Sequence, residues 1–231
     1  MRELAQGVWS LGAKKGGRVR AFLLDDGHEL TLVDTLFEGD ARRVLDALKA
    51  IGRQPADLRH IVITHAHRSH LGGLAALKHA SGATVYSHEW EADIISGDRK
   101  AQPVTLRPQQ SLRILPFQIG IALGVPKHVP VEVDTAVSDG DRIGPLEVLH
   151  LAGHSPGHLG FAWPDRDFLI AGDAIATWPQ FSAGWRAFNI NKAQHAESVR
   201  RMAGIGARIV GVGHGDPITE DAADRVRSLV A

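Results

Sequence analysis

The sequence predicts an α/β fold in which two β-sheets pack face to face and helices cover their outer surfaces. Short apolar strands are indicated in both halves of the chain, at residues 8–11, 61–64, 146–151 and 168–172 among others. Helical patterns occur in both halves as well, near residues 40–52 and 193–202. Because the apolar face of each sheet and helix must be buried against another layer, this arrangement favours an α/β sandwich.

The length and composition suit one globular domain over residues 1–231, since 44% of the residues are hydrophobic and 23% are charged. Residues 99–133 break the pattern because five prolines alternate with apolar side chains there. We expect this segment to be an insertion that lies over another part of the molecule. Core packing or a contact in a homodimer is favoured for it over a substrate lid.

Charge and cysteine content exclude several classes of function. Lys and Arg number 26, Asp and Glu also number 26, and cysteine is absent. No bulk charge attracts nucleic acid or an anionic membrane, so we expect neither as a partner, although a local basic patch stays open. The most apolar run, residues 114–125, is shorter than the roughly 20 residues needed to cross a bilayer. With no signal peptide indicated, we expect a cytoplasmic protein with a small-molecule substrate.

A cluster of histidines follows a predicted strand and is the strongest functional signal. His65, His67 and His70 come after the apolar residues 61–63 and before Gly72-Gly73. A strand that ends there releases a tight loop whose side chains converge. Neutral imidazoles that converge on one point bind zinc or a similar metal.

Three further polar residues stand at the ends of apolar strands. His154, Asp173 and His214 each follow a strand-like run and a glycine. Glycine allows the backbone to turn sharply and brings the next side chain to the edge of the sheet. We therefore expect the ligand-type residues from these four places to meet in one metal site.

These motifs resemble those of the metallo-β-lactamase superfamily of metal-dependent hydrolases. The resemblance extends to Asp34 after Leu32-Val33 and to the run Gly-His-Ser-Pro-Gly-His at residues 153–158. It implies a four-layer αββα sandwich with two metals at one sheet edge. It further implies that His65, His67 and His154 bind the first metal. His70 and His214 would bind the second metal, and Asp173 would bridge both. Asp34 and His158 would act outside the ligand set, Asp34 by orienting the histidine loop.

Ser69 departs from the family pattern His-x-His-x-Asp-His, in which the aspartate ligates the second metal. A neutral serine leaves the site with one carboxylate fewer, and this uncompensated charge should weaken the second metal. Asp173 and Ser69, the position that differs from the family pattern, are the predicted catalytic residues. We expect a metal to bind at the second position through the remaining ligands, or together with an anion that replaces the missing carboxylate. An enzyme that works with the first metal alone is the third alternative.

The resemblance implies a hydrolase in which a metal-activated hydroxide attacks an ester, a lactone or a related acyl substrate. Zinc is the expected cofactor, two ions per chain, with iron or manganese as other candidates. Thioesterases of the glyoxalase II type carry a helical carboxy-terminal domain, whereas only 17 residues follow His214 here. A mononuclear iron persulfide dioxygenase and a non-catalytic metal-binding member of the fold are the alternatives.

An aromatic run follows Asp173 and is the expected substrate pocket. Trp178, Phe181 and Trp185 are spaced by three to four residues. This spacing is also typical of helical core packing, so both uses stay open.

Overall fold

The computed structural model describes residues 1–107, 111–125 and 127–230. Within them, seven strands form a first sheet in chain order. The neighbouring pairs are antiparallel up to the fourth strand and parallel from the fourth to the seventh. The strands are β1 (Arg2–Ala5), β2 (Val8–Gly12), β3 (Arg20–Asp25), β4 (Leu30–Val33), β5 (Leu58–Val62), β6 (Thr84–Ser87) and β7 (Thr135–Ala136).

Five strands of the described chain form a second sheet, in the order β12-β11-β10-β9-β8. Its pairs are antiparallel except for β11 and β12, which run parallel. The strands are β8 (Arg142–Ile143), β9 (Leu146–His150), β10 (Leu159–Trp163), β11 (Phe168–Ile170) and β12 (Ile209–Gly211). Because β10 is antiparallel to both β9 and β11, and β12 is parallel to β11, the strands β9, β11 and β12 all point the same way.

The helices lie between and after these strands. They are α1 (Lys15–Arg18), α2 (Arg42–Ala50), α3 (Arg68–Leu71), α4 (Leu74–Ser81), α5 (Glu89–Ile95), α6 (Leu115–Leu123), α7 (Lys192–Ile205) and α8 (Ala222–Arg227). None of those within the described part of the chain has the length and apolar character that crossing a bilayer requires.

Alternation of side chains along the strands builds the layers. In β3, Phe22 and Leu24 enter the core between the sheets, and Phe22 meets Phe168 of the second sheet at 5.6 Å between ring centres. Ala21 and Leu23 face the opposite way, into a core shared with α2 and α4. The outer face of the second sheet is covered by α7 and α8. The predicted αββα sandwich is therefore confirmed.

The segment from 99 to 133 contains more regular structure than its prolines suggest. Helix α6 forms there, with Pro116 in its first turn, where proline costs no hydrogen bond. Phe117 and Ile121 of this helix pack on a cluster that contains Trp185 and Phe188. Residues 108–110 and 126, two of them prolines of the segment, lie outside the described residues.

Five strands deliver polar side chains to one edge of the sandwich. Strands β4 and β5 are parallel and end before Asp34 and the histidine loop. Strands β9, β11 and β12 share one direction and end before His154, Asp173 and His214, respectively. The carboxyl ends of these strands place the predicted ligands close together.

Candidate metal centre

The first group of donor atoms consists of three imidazoles and one carboxylate. The Nε2 atoms of His65 and His154 lie 3.0 and 3.1 Å from Nδ1 of His67. They lie 3.7 and 3.4 Å from Oδ2 of Asp173. Zn–N distances of about 2.0–2.1 Å in a tetrahedron place ligand atoms about 3.3 Å apart. The four atoms are therefore spaced as ligands of a single metal ion.

The second group shares Asp173 with the first. His70 Nε2 lies 3.4 Å from Asp173 Oδ1, and His214 Nε2 lies 3.2 Å from Asp173 Oδ2. All three residues are buried, and their candidate ligand atoms lie within 4.8 Å of one another. The described residues thus offer four donors at the first position and three at the second.

Unpaired polar atoms show that these residues fit bound cations. Asp173 Oδ1 and His70 Nε2 are buried and face each other at 3.4 Å, and neither forms a hydrogen bond to any described residue. Leaving such a group unsatisfied costs about 1–3 kcal/mol, and a cation between the two groups would remove that cost. Imidazole nitrogen with carboxylate oxygen is a donor set that suits zinc, iron or manganese.

The histidines of the first group are held neutral. Burial lowers the pKa of His67 to about 4, and it lowers the pKa values of His65 and His154 well below the usual range. Metals bind deprotonated imidazole. At neutral pH these three side chains are therefore in the form that a metal requires.

The second group carries a proton on His70 when no metal is bound. Burial disfavours the charged ring, but the carboxylates of Asp34 and Asp173 outweigh it and raise the pKa of His70 to about 10. Burial also opposes ionisation of Asp173, yet the imidazoles of His214 and His70 hold its pKa well below the usual range. A metal that binds to this group therefore displaces a proton.

Asp34 follows strand β4 and contacts the histidine loop. Its Oδ2 lies 2.7 Å from Nδ1 of His70, and its Oδ1 accepts a hydrogen bond of 2.9 Å from the backbone N–H of Thr64. An ionised carboxylate can only accept, so His70 carries its proton on Nδ1 and turns Nε2 toward Asp173. Asp34 has φ of 62°, a left-handed conformation that aspartate adopts more readily than most residues.

His158 lies behind the ligands and has no free ring nitrogen. Its Nε2 accepts a hydrogen bond of 3.0 Å from the backbone N–H of Asp173, and its Nδ1 lies 3.2 Å from the carbonyl oxygen of Leu151. Burial lowers the pKa of His158 to about 3, which keeps Nε2 available as an acceptor. His158 thus orients Asp173.

His214 is fixed from two sides. Its Nδ1 lies 2.9 Å from the carbonyl oxygen of Gly17, and its ring stacks on Trp185 with 4.1 Å between centres. Gly17 has φ of 76°, and a Cβ there would lie 2.6 Å from Trp185. Only glycine permits this close approach.

Glu91, on α5, was not predicted from the sequence and connects the two histidine loops. Its Oε2 accepts from the backbone N–H of Ala66 at 2.9 Å, and its Oε1 accepts from Ser155 Oγ and from the N–H of Gly157. Burial raises the pKa of Glu91, against the effect of these hydrogen bonds. Two glutamates stand within the same helical turn, and no sequence signal marks Glu91 as the buried one.

Ser69 joins neither donor group. It is the second residue of α3, half-buried, and makes no side-chain hydrogen bond to any described residue. Compared with the family pattern, the second position therefore loses a charged ligand and gains nothing in its place.

The aromatic residues divide between two places. Trp178 and Trp185 lie in one cluster with Phe117 and Phe188, and the ring of Phe188 is parallel to that of His154 at 6.2 Å. Phe181, by contrast, packs against the core beneath α7 and α8, with the Arg225 guanidinium 4.8 Å from its ring centre. Because residues 175–191 do not form a helix, their spacing does not put the three predicted rings on one face.

A cleft opens beside His67, the most exposed of the six predicted ligands at 7%. It is shallow and partly open to solvent, and its lining is mostly apolar: Trp90, Ile94, Ala101 and Ile190, with Gln102 and Ser155 among the polar residues. None of the three predicted pocket residues lines this cleft. The use of Trp178, Phe181 and Trp185 as a substrate pocket therefore stays a prediction, and the cleft next to α5 is a second candidate.

Residues 15–214 match the family model described as the metallo-beta-lactamase superfamily. The chain belongs to this superfamily. The resemblance stated from the histidine and glycine motifs is thereby confirmed.

Relatives within the superfamily include hydrolases. The chain is 24% identical to the probable metallo-hydrolase YflN of Bacillus subtilis, over 94% of this chain and 87% of that protein. It is 28% identical to the uncharacterized protein YobT of Bacillus subtilis, over 92% and 89%. It is 30% identical to the hydroxyacylglutathione hydrolase of Aeromonas salmonicida over 72% of this chain, which spans only 50% of that enzyme.

Solved structures of the superfamily share the fold. A metallo-beta-lactamase family protein from Thermus thermophilus superimposes with a TM-score of 0.69 at 24% identity, covering 99% of this chain and 79% of that one. A Cronobacter sakazakii metallo-beta-lactamase with a HARLDQ motif gives 0.70 at 24% identity, over 93% and 77%. The protein TTHA1623, in a di-iron-bound form, gives 0.65 at 24% identity, over 91% and 93%.

Proposed function

We propose that this protein is a metal-dependent hydrolase acting on an ester, a lactone or a related acyl substrate. The observation that carries the proposal is the shared carboxylate of Asp173, which lies 3.2–3.7 Å from imidazole nitrogens of both donor groups. His65, His67, His154 and Asp173 would hold one metal, and His70, His214 and Asp173 the other. A bound divalent metal supplies a hydroxide at neutral pH and polarises the bond that is attacked.

The protein's own groups hold this centre in position. His158 and Asp34 fix Asp173 and His70 through hydrogen bonds of 3.0 and 2.7 Å. Asp173 Oδ1 is ionised and has no hydrogen-bond partner among the described residues, so it is suited to accept a hydrogen bond from the attacking water and orient it. Burial of the donors strengthens these electrostatic interactions by excluding water.

The cleft beside His67 favours a small apolar acyl group. Trp90, Ile94 and Ala101 present apolar surface, and none of the described residues that line it is Lys or Arg. A substrate in this cleft would bring its acyl carbon next to the first donor group. An anionic substrate of similar size would gain no ion pair there.

Zinc is the proposed metal, with a second ion that binds more weakly because Ser69 supplies no charge. The di-iron form of TTHA1623 is the reason to test iron beside zinc. An iron dioxygenase acting on persulfides is the second candidate, because the first donor group is complete without the second. Two zinc ions with hydrolysis favour the first function; one iron with oxygen consumption favours the second.

The test is to remove metals with a chelator, restore zinc, iron or manganese separately, and measure turnover. The panel contains nitrophenyl esters of increasing acyl length, lactones, a glutathione thioester, β-lactams and a persulfide. We expect zinc-dependent hydrolysis of short acyl esters or lactones, which Asp173→Asn abolishes. His79→Gln, a change at an exposed histidine, is the matched control. Fully metal-loaded protein without hydrolysis of any acyl compound would contradict the proposal.

A further inference from the structure

Exposed apolar side chains are concentrated in one segment of the molecule. Of the ten large hydrophobic residues that are exposed among the described residues, six lie between residues 106 and 129. Their exposed fractions are 43–69%, and the six are Leu106, Leu112, Ile119, Leu123, Val125 and Val129. Such a concentration indicates a surface that meets another apolar phase.

Helix α6 presents two apolar faces, only one of which is covered. Phe117 and Ile121 pack inward on the cluster around Trp185. Leu112, just before the helix, and Ile119 and Leu123 within it are spaced by seven and four residues and share the opposite face. The helix is also held in place, because the buried Gln118 side chain donates to the backbone carbonyl of Thr105. The outer face is therefore a fixed apolar surface.

Charge is concentrated in the same segment. Residues 99–131 contain five Lys and Arg side chains and no Asp or Glu, although the chain as a whole has a net charge of zero. Arg107, Arg113 and Lys127 are exposed, and no carboxylate of the described residues forms an ion pair with them. This is the local basic patch that the balanced composition conceals.

We propose that this outer face, formed by the six exposed apolar residues and the cations of Arg107, Arg113 and Lys127, docks on an anionic lipid surface. Apolar side chains flanked by Lys and Arg bind at the membrane interface, where the chains enter the headgroup boundary and the cations meet lipid phosphates and carboxylates. Helix α6 has nine residues and is about 13.5 Å long, so it would lie along the surface. A second copy of this chain is a less favourable partner for the outer face, because a dimer formed there would bring two sets of unpaired cations together.

Docking there leaves the donor groups unchanged. Phe117, on the inner face of α6, contacts Trp185, and Trp185 in turn stacks on His214. Among the described residues, no ion pair or ring contact joins the lipid-facing side chains to the six predicted ligands. The proposal is therefore independent of the hydrolase function and can be tested without a substrate.

The experiment is sedimentation of the purified full-length protein with vesicles of phosphatidylcholine alone or with about 30% phosphatidylserine. One variant replaces the outer leucines (Leu112→Gln with Leu123→Gln), and another removes the cations (Arg107→Gln, Arg113→Gln and Lys127→Gln). Matched controls are Ile205→Gln, which changes an exposed apolar residue elsewhere, and the triple change Lys49→Gln, Arg59→Gln and Arg208→Gln. Circular dichroism and metal content check that each variant is folded.

We expect the wild type to bind the anionic vesicles and to dissociate as salt is raised. Each segment variant should weaken binding by roughly tenfold or more, while both controls bind as the wild type does. The proposal is overturned if the wild type stays in the supernatant with anionic vesicles, or if the segment variants bind equally well. It is also overturned if sedimentation velocity finds a dimer that the leucine variant dissociates, since a second copy would then occupy the face.

Discussion

Asp34 and His70 are joined at the buried sheet edge by a contact of 2.7 Å between Oδ2 and Nδ1. Because the Nδ1–H of His70 donates a hydrogen bond to Asp34, only its Nε2 remains for a metal. The residue that follows β4 thus determines how the histidine loop presents its last ligand, although Asp34 itself contacts no other predicted ligand among the described residues.

Replacing Asp34 with asparagine should weaken metal binding. Asparagine keeps the size of the side chain and tolerates the left-handed backbone, but it removes the charge that orients His70. We expect the affinity for the second metal to fall by about 10–100-fold, measured by competition with a chromophoric chelator. Asp46→Asn, at an exposed position on α2, is the control. An unchanged second affinity in Asp34→Asn would show that this contact does not position His70.

Restoring the family carboxylate at Ser69 should strengthen the second metal. Ser69→Asp adds one negative charge beside His70, and we expect at least a tenfold gain in affinity for the second ion with little change at the first. Titration of metal-free protein followed by calorimetry measures both. Ser69→Asn has nearly the same volume without the charge and serves as the control. If the wild type, Ser69→Asp and Ser69→Asn bound the second metal equally well, the missing charge at residue 69 would not explain weak binding.

Glu91→Gln should destabilise the fold. The glutamine amide nitrogen cannot accept a hydrogen bond, so one of the groups that now donate to the Glu91 carboxylate is left unpaired. We expect a loss of about 1–3 kcal/mol in the free energy of unfolding of the metal-free protein, from urea denaturation at pH 7. Glu89→Gln, exposed on the same helix, should change the stability little.

The loss in Glu91→Gln should depend on pH with a defined sign. Burial raises the pKa of Glu91 above its usual value of 4.5, so the fold binds this proton more tightly than the unfolded chain does. The wild type therefore loses stability relative to Glu91→Gln as pH rises from about 4.5 through the folded pKa, by at most about 1.4 kcal/mol per pH unit. A difference between the two proteins that grows over this range would mean that the hydrogen bonds, not burial, control Glu91.

Filling the cleft beside His67 should change substrate size selection. Ala101→Phe adds a ring to the apolar lining. We expect KM to rise with acyl length for nitrophenyl esters, while acetyl ester turnover and metal content stay near the wild-type values. Ala80→Phe, an equal change at an exposed position on α4, is the control. If KM rose equally for every acyl length, the acyl group would not bind in this cleft.

Much of the metal centre could be predicted because its signals are local. His154, Asp173 and His214 each follow a strand and a glycine. The shared direction of these strands then brings the three side chains to one edge of the sheet. Phe181 could not be assigned in this way. Its spacing from Trp178 matches a helix, but the chain forms a bridge between Ala176 and Ser182 instead, and Phe181 turns toward Arg225.

Two other features depend on tertiary contacts that sequence patterns do not contain. Glu91 is buried because the donors of Ala66, Ser155 and Gly157 surround it, and these come from two distant loops. A charged residue in a short helix is ordinarily exposed, so no pattern selects it. Helix α6 was not predicted because its segment is rich in proline. Pro116 is compatible with a helix only in the first turn, and the sequence does not show where the helix starts.

The central claim is that Asp173 belongs to two metal positions, and metal analysis of the chain and its Asp173→Ala variant tests it most directly. Metal-free protein is equilibrated with excess zinc, passed over a desalting column and assayed by mass spectrometry, with retained secondary structure as the folding check. We predict one tightly held and one weakly held zinc per wild-type chain, and loss of the weak ion with a strongly weakened tight one in the variant. Wild-type protein that retains no zinc, or a folded variant that retains as much as the wild type, would contradict the account.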